Sequence, residues 1–286
     1  MARKPIMAIM YDFDKTLATT DMQNFGFIPA LGLTPEEFWG KTQDFSKATG
    51  MERILSYMYM MVKLGKEKGL PMTRKWFKEL GANIEYFPGV ETWFKRINEY
   101  GDKCGVKVEH YLVSSGTKEI VEGSKIAKEF KEIYGCEFYF TPGENGTPIW
   151  PKLAINYTQK TQYFFRISKG VSGTAADNKV NASKPHKRIP TENIVYLGDG
   201  MTDVPCMILV KQNGGKSIAI FNKNLEQVTM SSLKTRVNFA CKADYTENSE
   251  LEKTVKLIID RIAVNDAIRI KEDRLQSSGL MKKGKK

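Results

Sequence analysis

The chain opens on a short apolar run, Ile6-Met7-Ala8-Ile9-Met10-Tyr11, which has strand length and stops at the pentad Asp12-Phe13-Asp14-Lys15-Thr16. Two later runs have the same form. His110-Tyr111-Leu112-Val113 ends in Ser114-Ser115-Gly116, and Ile194-Val195-Tyr196-Leu197 ends in Gly198-Asp199-Gly200-Met201-Thr202-Asp203. If Ile6 to Tyr11 is a central parallel strand, both acids of the pentad emerge at its carboxyl end, where open α/β sheets place their ligands. Glu137 to Phe140 and Ser217 to Ile220 read as further strands.

Helical patterning fills the intervals. Thr34-Pro35-Glu36-Glu37 is a helix start, with Thr as N-cap, Pro at the first helical position and acids in the first turn. Met51, Ile54, Leu55, Met58, Met61 and Val62 follow helical spacing, and Thr73 to Leu80 begins a shorter helix. Pro88-Gly89-Val90 marks a return from this segment, followed by a helix over Glu91 to Tyr100. Thr117 to Lys131 also reads as a helix, and Thr141 to Tyr157, rich in Gly and Pro, as a turn-rich hairpin. Leu251, Val255, Ile258, Ile259 and Ile262 give a final amphipathic helix. Strand and helix therefore alternate, which predicts a right-handed, doubly wound parallel sheet of the Rossmann-like α/β class. The expected division is an α/β core over residues 1–19 and 89–275, a small α-helical cap inserted over 20–88, and a basic, disordered tail over 276–286.

Composition narrows the class. With 286 residues and 41% hydrophobic content the chain can bury a core and carry one smaller module. Its four cysteines show no zinc-like or C-x-x-C spacing and read as reduced, buried thiols. The basic start ends in Asp12 without a cleavage site, and no stretch has membrane-spanning length, so a cytoplasmic location is expected and no membrane partner. Net charge is +11. Four lysines of that excess, Lys282, Lys283, Lys285 and Lys286, lie in the tail, and Lys179, Lys184, Lys187 and Arg188 sit in a polar loop without the aromatics that stack on bases. Nucleic acid is not expected as a partner; the surplus suits a solvated surface or the attraction of anionic metabolites. Neither histidine, His110 or His186, has a partner at zinc spacing.

Acids, hydroxyls and acids at three strand ends, in this order, resemble the haloacid dehalogenase (HAD) superfamily of phosphohydrolases, and in particular its phosphoserine phosphatase-like branch. The resemblance spans roughly residues 5 to 220. It implies that Asp12 is the nucleophile, already ionised at neutral pH, and that Asp14 is the general acid and then the base for water. Thr16 would brace Asp14, and Ser114 would donate to a phosphoryl oxygen, with help from Ser115 and Gly116. Magnesium would be held by Asp12, the main-chain carbonyl of Asp14, and Asp199, with Asp203 orienting the lysine or a metal-bound water. Two lysines compete to offset the charge. Lys160 opens a helix-like stretch, as the family's third motif does, and is favoured over Lys184, which lies nearer Asp199 but in a loop over 170–190. The substrate implied is a small phosphorylated metabolite. Asp21 and Arg53 are candidates to receive an ammonium and a carboxylate, as a phosphoserine-like substrate would require. A phosphotransferase or mutase shares the intermediate and differs only in its acceptor, and a phospho-acceptor signalling module would explain neither the helical insert nor Asp14.

Overall fold

The computed structural model describes residues 4–143, 145–173, 177–183, 187–222, 233 and 235–277. Seven strands form one sheet in the order β4-β3-β2-β1-β5-β6-β7. They are β1 (Ile6–Tyr11), β2 (Lys107–Thr117), β3 (Glu132–Phe140), β4 (Pro148–Leu153), β5 (Ile194–Gly198), β6 (Lys216–Phe221) and β7 (Phe239–Lys242). Every residue of β1 is buried, as its unbroken apolar sequence requires of a strand flanked on both edges and covered on both faces. All pairs are parallel except β3 with β4, so the turn-rich stretch forms an antiparallel hairpin at one sheet edge.

Ten helices pack around the sheet among the described residues: α1 (Phe27–Leu31), α2 (Pro35–Thr49), α3 (Arg53–Glu67), α4 (Arg74–Leu80), α5 (Val90–Lys103), α6 (Lys118–Glu122), α7 (Gln159–Lys169), α8 (Asp177–Asn181), α9 (Val204–Gln212) and α10 (Glu250–Ser277). Thr34 caps α2 in a full capping box with Glu37, and Thr73 caps α4 through the Trp76 N–H. The four helices α1 to α4 all fall between β1 and α5, where the helical patterning put them. Helices α5 and α10 pack together, as do α7 and α9.

One helix is shorter than its sequence pattern. Thr117 to Lys131 is helical only over α6, followed by a 3-10 turn at Ala127–Glu129, and the chain enters β3 already at Glu132. The α6 cap residue is a threonine in extended backbone, still part of β2, and Gly123 ends the helix after five residues. The loop over 170–190 carries the short helix α8, and Arg188 from it forks onto Glu109 at 2.6 and 2.8 Å, so this residue belongs to an ion pair and not to a solvated cluster. Lys184, His186 and the terminal lysines lie outside the described residues; of the expected tail, positions 276 and 277 end α10.

Candidate active site

The chain steps outward from β1 to β2 and β3, then returns to lay β5 against the other side of β1. That reversal opens a crevice outside the carboxyl ends of β1 and β5, the position where doubly wound sheets bind ligands. Asp12 follows β1 and Asp199 follows β5. The Asp12 N–H still bonds the Leu197 carbonyl at 2.9 Å, which fixes the first acid on the sheet, after which the chain curls around the Phe13 carbonyl. Three N–H groups, from Thr16, Leu17 and Ala18, point at that one oxygen, and Lys15 takes a left-handed backbone conformation to permit it.

Lys160, the second residue of α7, reaches the floor of this crevice. Its ammonium stands 3.0 Å from Asp12 Oδ1 and 2.7 Å from Asp203 Oδ1, all three side chains being buried. Burial alone lowers an ammonium's pKa, but the two carboxylates hold that of Lys160 above its ordinary value. Asp203 also accepts from the Tyr196 hydroxyl at 2.6 Å and the Gly200 N–H at 3.2 Å. Gly198 makes room for it: a Cβ there would meet the Asp203 carboxylate at 2.6 Å. Ligand oxygens of Asp12, Asp199 and Asp203 all lie within 4.8 Å of one another. Asp203, expected to orient the lysine or a metal-bound water, thus stands within the acidic cluster, and it is the member most fully satisfied by protein partners. Among the described residues Asp199 has no hydrogen bond or ion pair, and burial together with Asp12 and Asp203 pushes its carboxyl up to about 8, with Lys15 and Lys160 opposing. Three hard oxygen donors gathered in this way fit a small divalent cation.

Asp14 lies close to Asp12 and Asp21. It accepts the Met22 N–H at 2.8 Å, and burial, then Asp21 and Asp12, raise its pKa well above the carboxylate range. Asp12 is raised by burial and Asp203, with Lys160 opposing. The Cβ that Gly116 lacks would meet Met22 Cε at 2.1 Å and Asp14 Oδ2 at 3.1 Å, so only glycine lets β2 approach both.

Several expected contacts are redistributed. Ser114 is buried with its Oγ accepting the Gly116 N–H at 2.9 Å, which engages that N–H and leaves the Ser114 O–H as a donor. Ser115 is the serine that lines the crevice, and its buried Oγ has no partner. The Ser115 carbonyl accepts from Tyr57 Oη at 2.7 Å and Cys136 Sγ at 3.2 Å, which orients the residue from two elements. Thr16 does not brace Asp14: its Oγ1 is unpartnered, and its carbonyl accepts the Tyr245 hydroxyl at 2.8 Å. Asp21 and Arg53 do converge, lining one cavity of about 650 Å³ with Lys15, Trp39, Tyr57 and Ser115. Asp21 is already paired with Lys15 at 2.9 Å. Lys15 lies within the pentad, and Trp39 and Tyr57 on α2 and α3, but none of the three carried a sequence signal of its own.

The fold defined by this sheet, switch point and acid placement is that of the HAD-type hydrolases. No family model matches the sequence. Solved structures similar to it include a HAD-family hydrolase from Salmonella enterica serovar Typhi, with TM-score 0.56 and 15% identity over 88% of this chain and 70% of that one. A probable phosphoserine phosphatase from Vibrio cholerae gives 0.57 and 11% over 92% and 67%. A phosphoserine phosphatase captured as an analogue of its phospho-aspartyl intermediate gives 0.53 and 17% over 89% and 99%. By sequence, an uncharacterized protein of Borreliella burgdorferi is 28% identical over 276 aligned positions, covering 87% of this chain and 95% of the relative.

Proposed function

We propose that this protein is a cytoplasmic, magnesium-dependent phosphomonoesterase acting on a small phosphorylated metabolite through an aspartyl-phosphate. The observation that carries the reading is the buried Lys160 ammonium bridging Asp12 and Asp203 beside the unpaired Asp199, at the switch point of the sheet. An ammonium in that place offsets charge on a nucleophilic carboxylate and on a phosphoryl group transferred to it. A magnesium ion held by Asp12 and Asp199, with Asp203 close by, would supply further neutralisation of the phosphoryl oxygens.

In this mechanism an Asp12 oxygen attacks phosphorus, the ester P–O bond breaks, and the leaving alkoxide takes the proton that Asp14's raised pKa retains. Asp14, now ionised, then removes a proton from water, which attacks the aspartyl-phosphate and returns Asp12 and inorganic phosphate. Ser115, with its free hydroxyl, donates to a phosphoryl oxygen, the role the sequence assigned to its neighbour. Helices α1 to α4 act as a cap whose cavity wall, including Asp21 and Arg53, selects the alcohol and excludes water during transfer. Arg53, exposed and without an ion pair among the described residues, is available to a substrate carboxylate, so a phosphoserine-like substrate is the first to try.

The test is a panel of phosphorylated metabolites and an aryl phosphate, assayed with magnesium for phosphate release. Magnesium-dependent release that is lost in Asp12→Asn supports the reading, and transfer of the phosphoryl group to an added alcohol in preference to water would redirect it to a phosphotransferase.

A further inference from the structure

The wall of the cavity that Asp21 and Arg53 line carries two cations, Lys15 and Arg53, and three acids, Asp21, Glu36 and Glu52. Two of the acids are committed within the chain. Asp21 precedes the 3-10 turn Met22–Phe25, but its side chain caps nothing there. Instead both of its carboxylate oxygens stand 2.9 Å from the Lys15 ammonium. Glu52 accepts the Ile54 and Leu55 N–H groups at 2.8 and 3.1 Å as the N-cap of α3. The third acid, Glu36, is exposed in the first turn of α2, where the helix dipole already favours a negative charge. Arg53 is exposed, and among the described residues no carboxylate pairs with it.

Lys15 is the unusual member of this wall. It follows Asp14 with a φ of 56°, a left-handed conformation that glycine adopts freely and a residue with a Cβ adopts at a cost. The curl around the Phe13 carbonyl asks only for that backbone. What a lysine adds over a glycine is an ammonium carried to the cavity wall, and an uncommon conformation kept beside a reactive centre points to a use for the side chain.

A carboxylate on the wall of a binding cavity draws a substrate cation unless its charge is already matched. Lys15 matches that of Asp21. A substrate ammonium brought to Asp21 would find both oxygens engaged and a second ammonium beside it, a repulsive element of the kind that sets specificity. Arg53 carries the opposite preference, since its guanidinium suits a carboxylate. We propose, resting on the phosphatase reading above, that Lys15 sets the substrate class of this site: by occupying Asp21 it leaves Arg53 as the recognition charge, so the substrate is a phosphate monoester bearing a carboxylate and no ammonium. That is a phosphorylated hydroxy or oxo acid in place of a phosphorylated amino acid.

A set of esters that differ only in these two charges tests this. O-Phosphoserine bears both, 3-phosphonooxypropanoate lacks the ammonium, phosphoethanolamine lacks the carboxylate, and ethyl phosphate lacks both. Phosphate release by the full chain with magnesium gives kcat/KM for each. The propanoate should exceed phosphoserine by about tenfold or more, the scale of one charged contact, and phosphoethanolamine should not exceed ethyl phosphate. Lys15→Met removes the ammonium and leaves Asp21 bare, so the ratio of phosphoserine to propanoate should rise about 10- to 100-fold. Adding Asp21→Asn to Lys15→Met should bring the ratio back down. Ratios within one variant cancel any loss of chemistry or of folded protein common to all the esters, and calorimetric binding of the same esters ranks a variant that turns over too slowly. A wild type that prefers phosphoserine, a ratio that Lys15→Met leaves unchanged, or release from sugar phosphates but from none of these esters would overturn the assignment and leave the phosphatase reading standing. No release from any phosphate ester would overturn both.

Discussion

Replacing Lys160 by methionine keeps most of the side-chain volume and removes only the charge. At 3.0 Å from Asp12 and 2.7 Å from Asp203, an effective dielectric constant of about 20 gives gross attractions of about 5.5 and 6 kcal/mol. Desolvation of the three groups offsets several kcal/mol per ion, so the net cost of leaving the carboxylates behind is about 3–5 kcal/mol at neutral pH. The sign with pH follows from the carboxylates. Burial already raises the folded-state pKa of Asp12, and Lys160 is what opposes that rise. Without the lysine the folded variant binds protons that the unfolded chain releases, so its stability is retained in acid and lost as pH rises through the raised pKa. Urea unfolding in metal-free buffer should therefore show the largest deficit against wild type near about pH 8 and a clearly smaller one near about pH 5. Phosphate release by the variant should fall about 10² to 10³-fold, the scale of one preorganised charge-stabilising group. A deficit that grows on acidification, or near-wild-type turnover, would refute the placement of this ammonium between the two carboxylates.

Asp12→Asn should lower kcat by on the order of 10⁴-fold or more in a folded protein, as loss of other nucleophiles does; phosphate release under saturating substrate is the readout. EDTA should abolish activity, magnesium restore it and calcium fail to, because calcium's looser coordination misplaces nucleophile and phosphate. Ser115→Ala should cost about 10²-fold in kcat/KM through loss of a donor to the phosphoryl group, whereas Ser114→Ala, which removes the acceptor for the Gly116 N–H, should also cost about 1 kcal/mol in urea unfolding. Arg53→Ala should erase any preference for a carboxylate-bearing substrate in kcat/KM while sparing an aryl phosphate; equal losses on both would remove Arg53 from the substrate site.

The parts of the site that were legible in the sequence are those where chemistry sits at the end of a pattern. Asp12 and Asp199 follow apolar runs that fold as the central strands β1 and β5, and Lys160 stands on the helix its sequence pattern opens, α7, while its rival Lys184 lies outside the described residues. The two serines show where such reading stops. Side chains alternate faces along a strand, so two adjacent serines at a strand end present their hydroxyls differently, and the pattern does not say how. Apolar patterning leaves Ser114 and Ser115 equivalent; their partners, Gly116 for one and Tyr57 and Cys136 for the other, distinguish them. Tyr57 lies 58 residues from Ser115 in sequence, and no local rule connects them. The overlong helix over Thr117 to Lys131 has a different cause. Its apolar spacing is helical, but β2 runs on to Thr117 and β3 starts at Glu132, and pairing in the sheet overrides the local preference.

The antiparallel hairpin that closes one side of the sheet has a consequence for how the protein behaves in a crowded solution. A bare edge strand is a template onto which another chain can add. Strand β4 has six residues, and two of them, Pro148 and Pro151, have no N–H to offer, while Lys152 would carry charge into any new ladder. Ile149 and Trp150 stand exposed on that strand, the combination that would otherwise recruit a neighbour. At the far edge β7 is only four residues long. The sheet therefore ends on one side in a strand with missing donors and on the other in a strand too short to template much growth, which guards the folded protein against edge-to-edge aggregation.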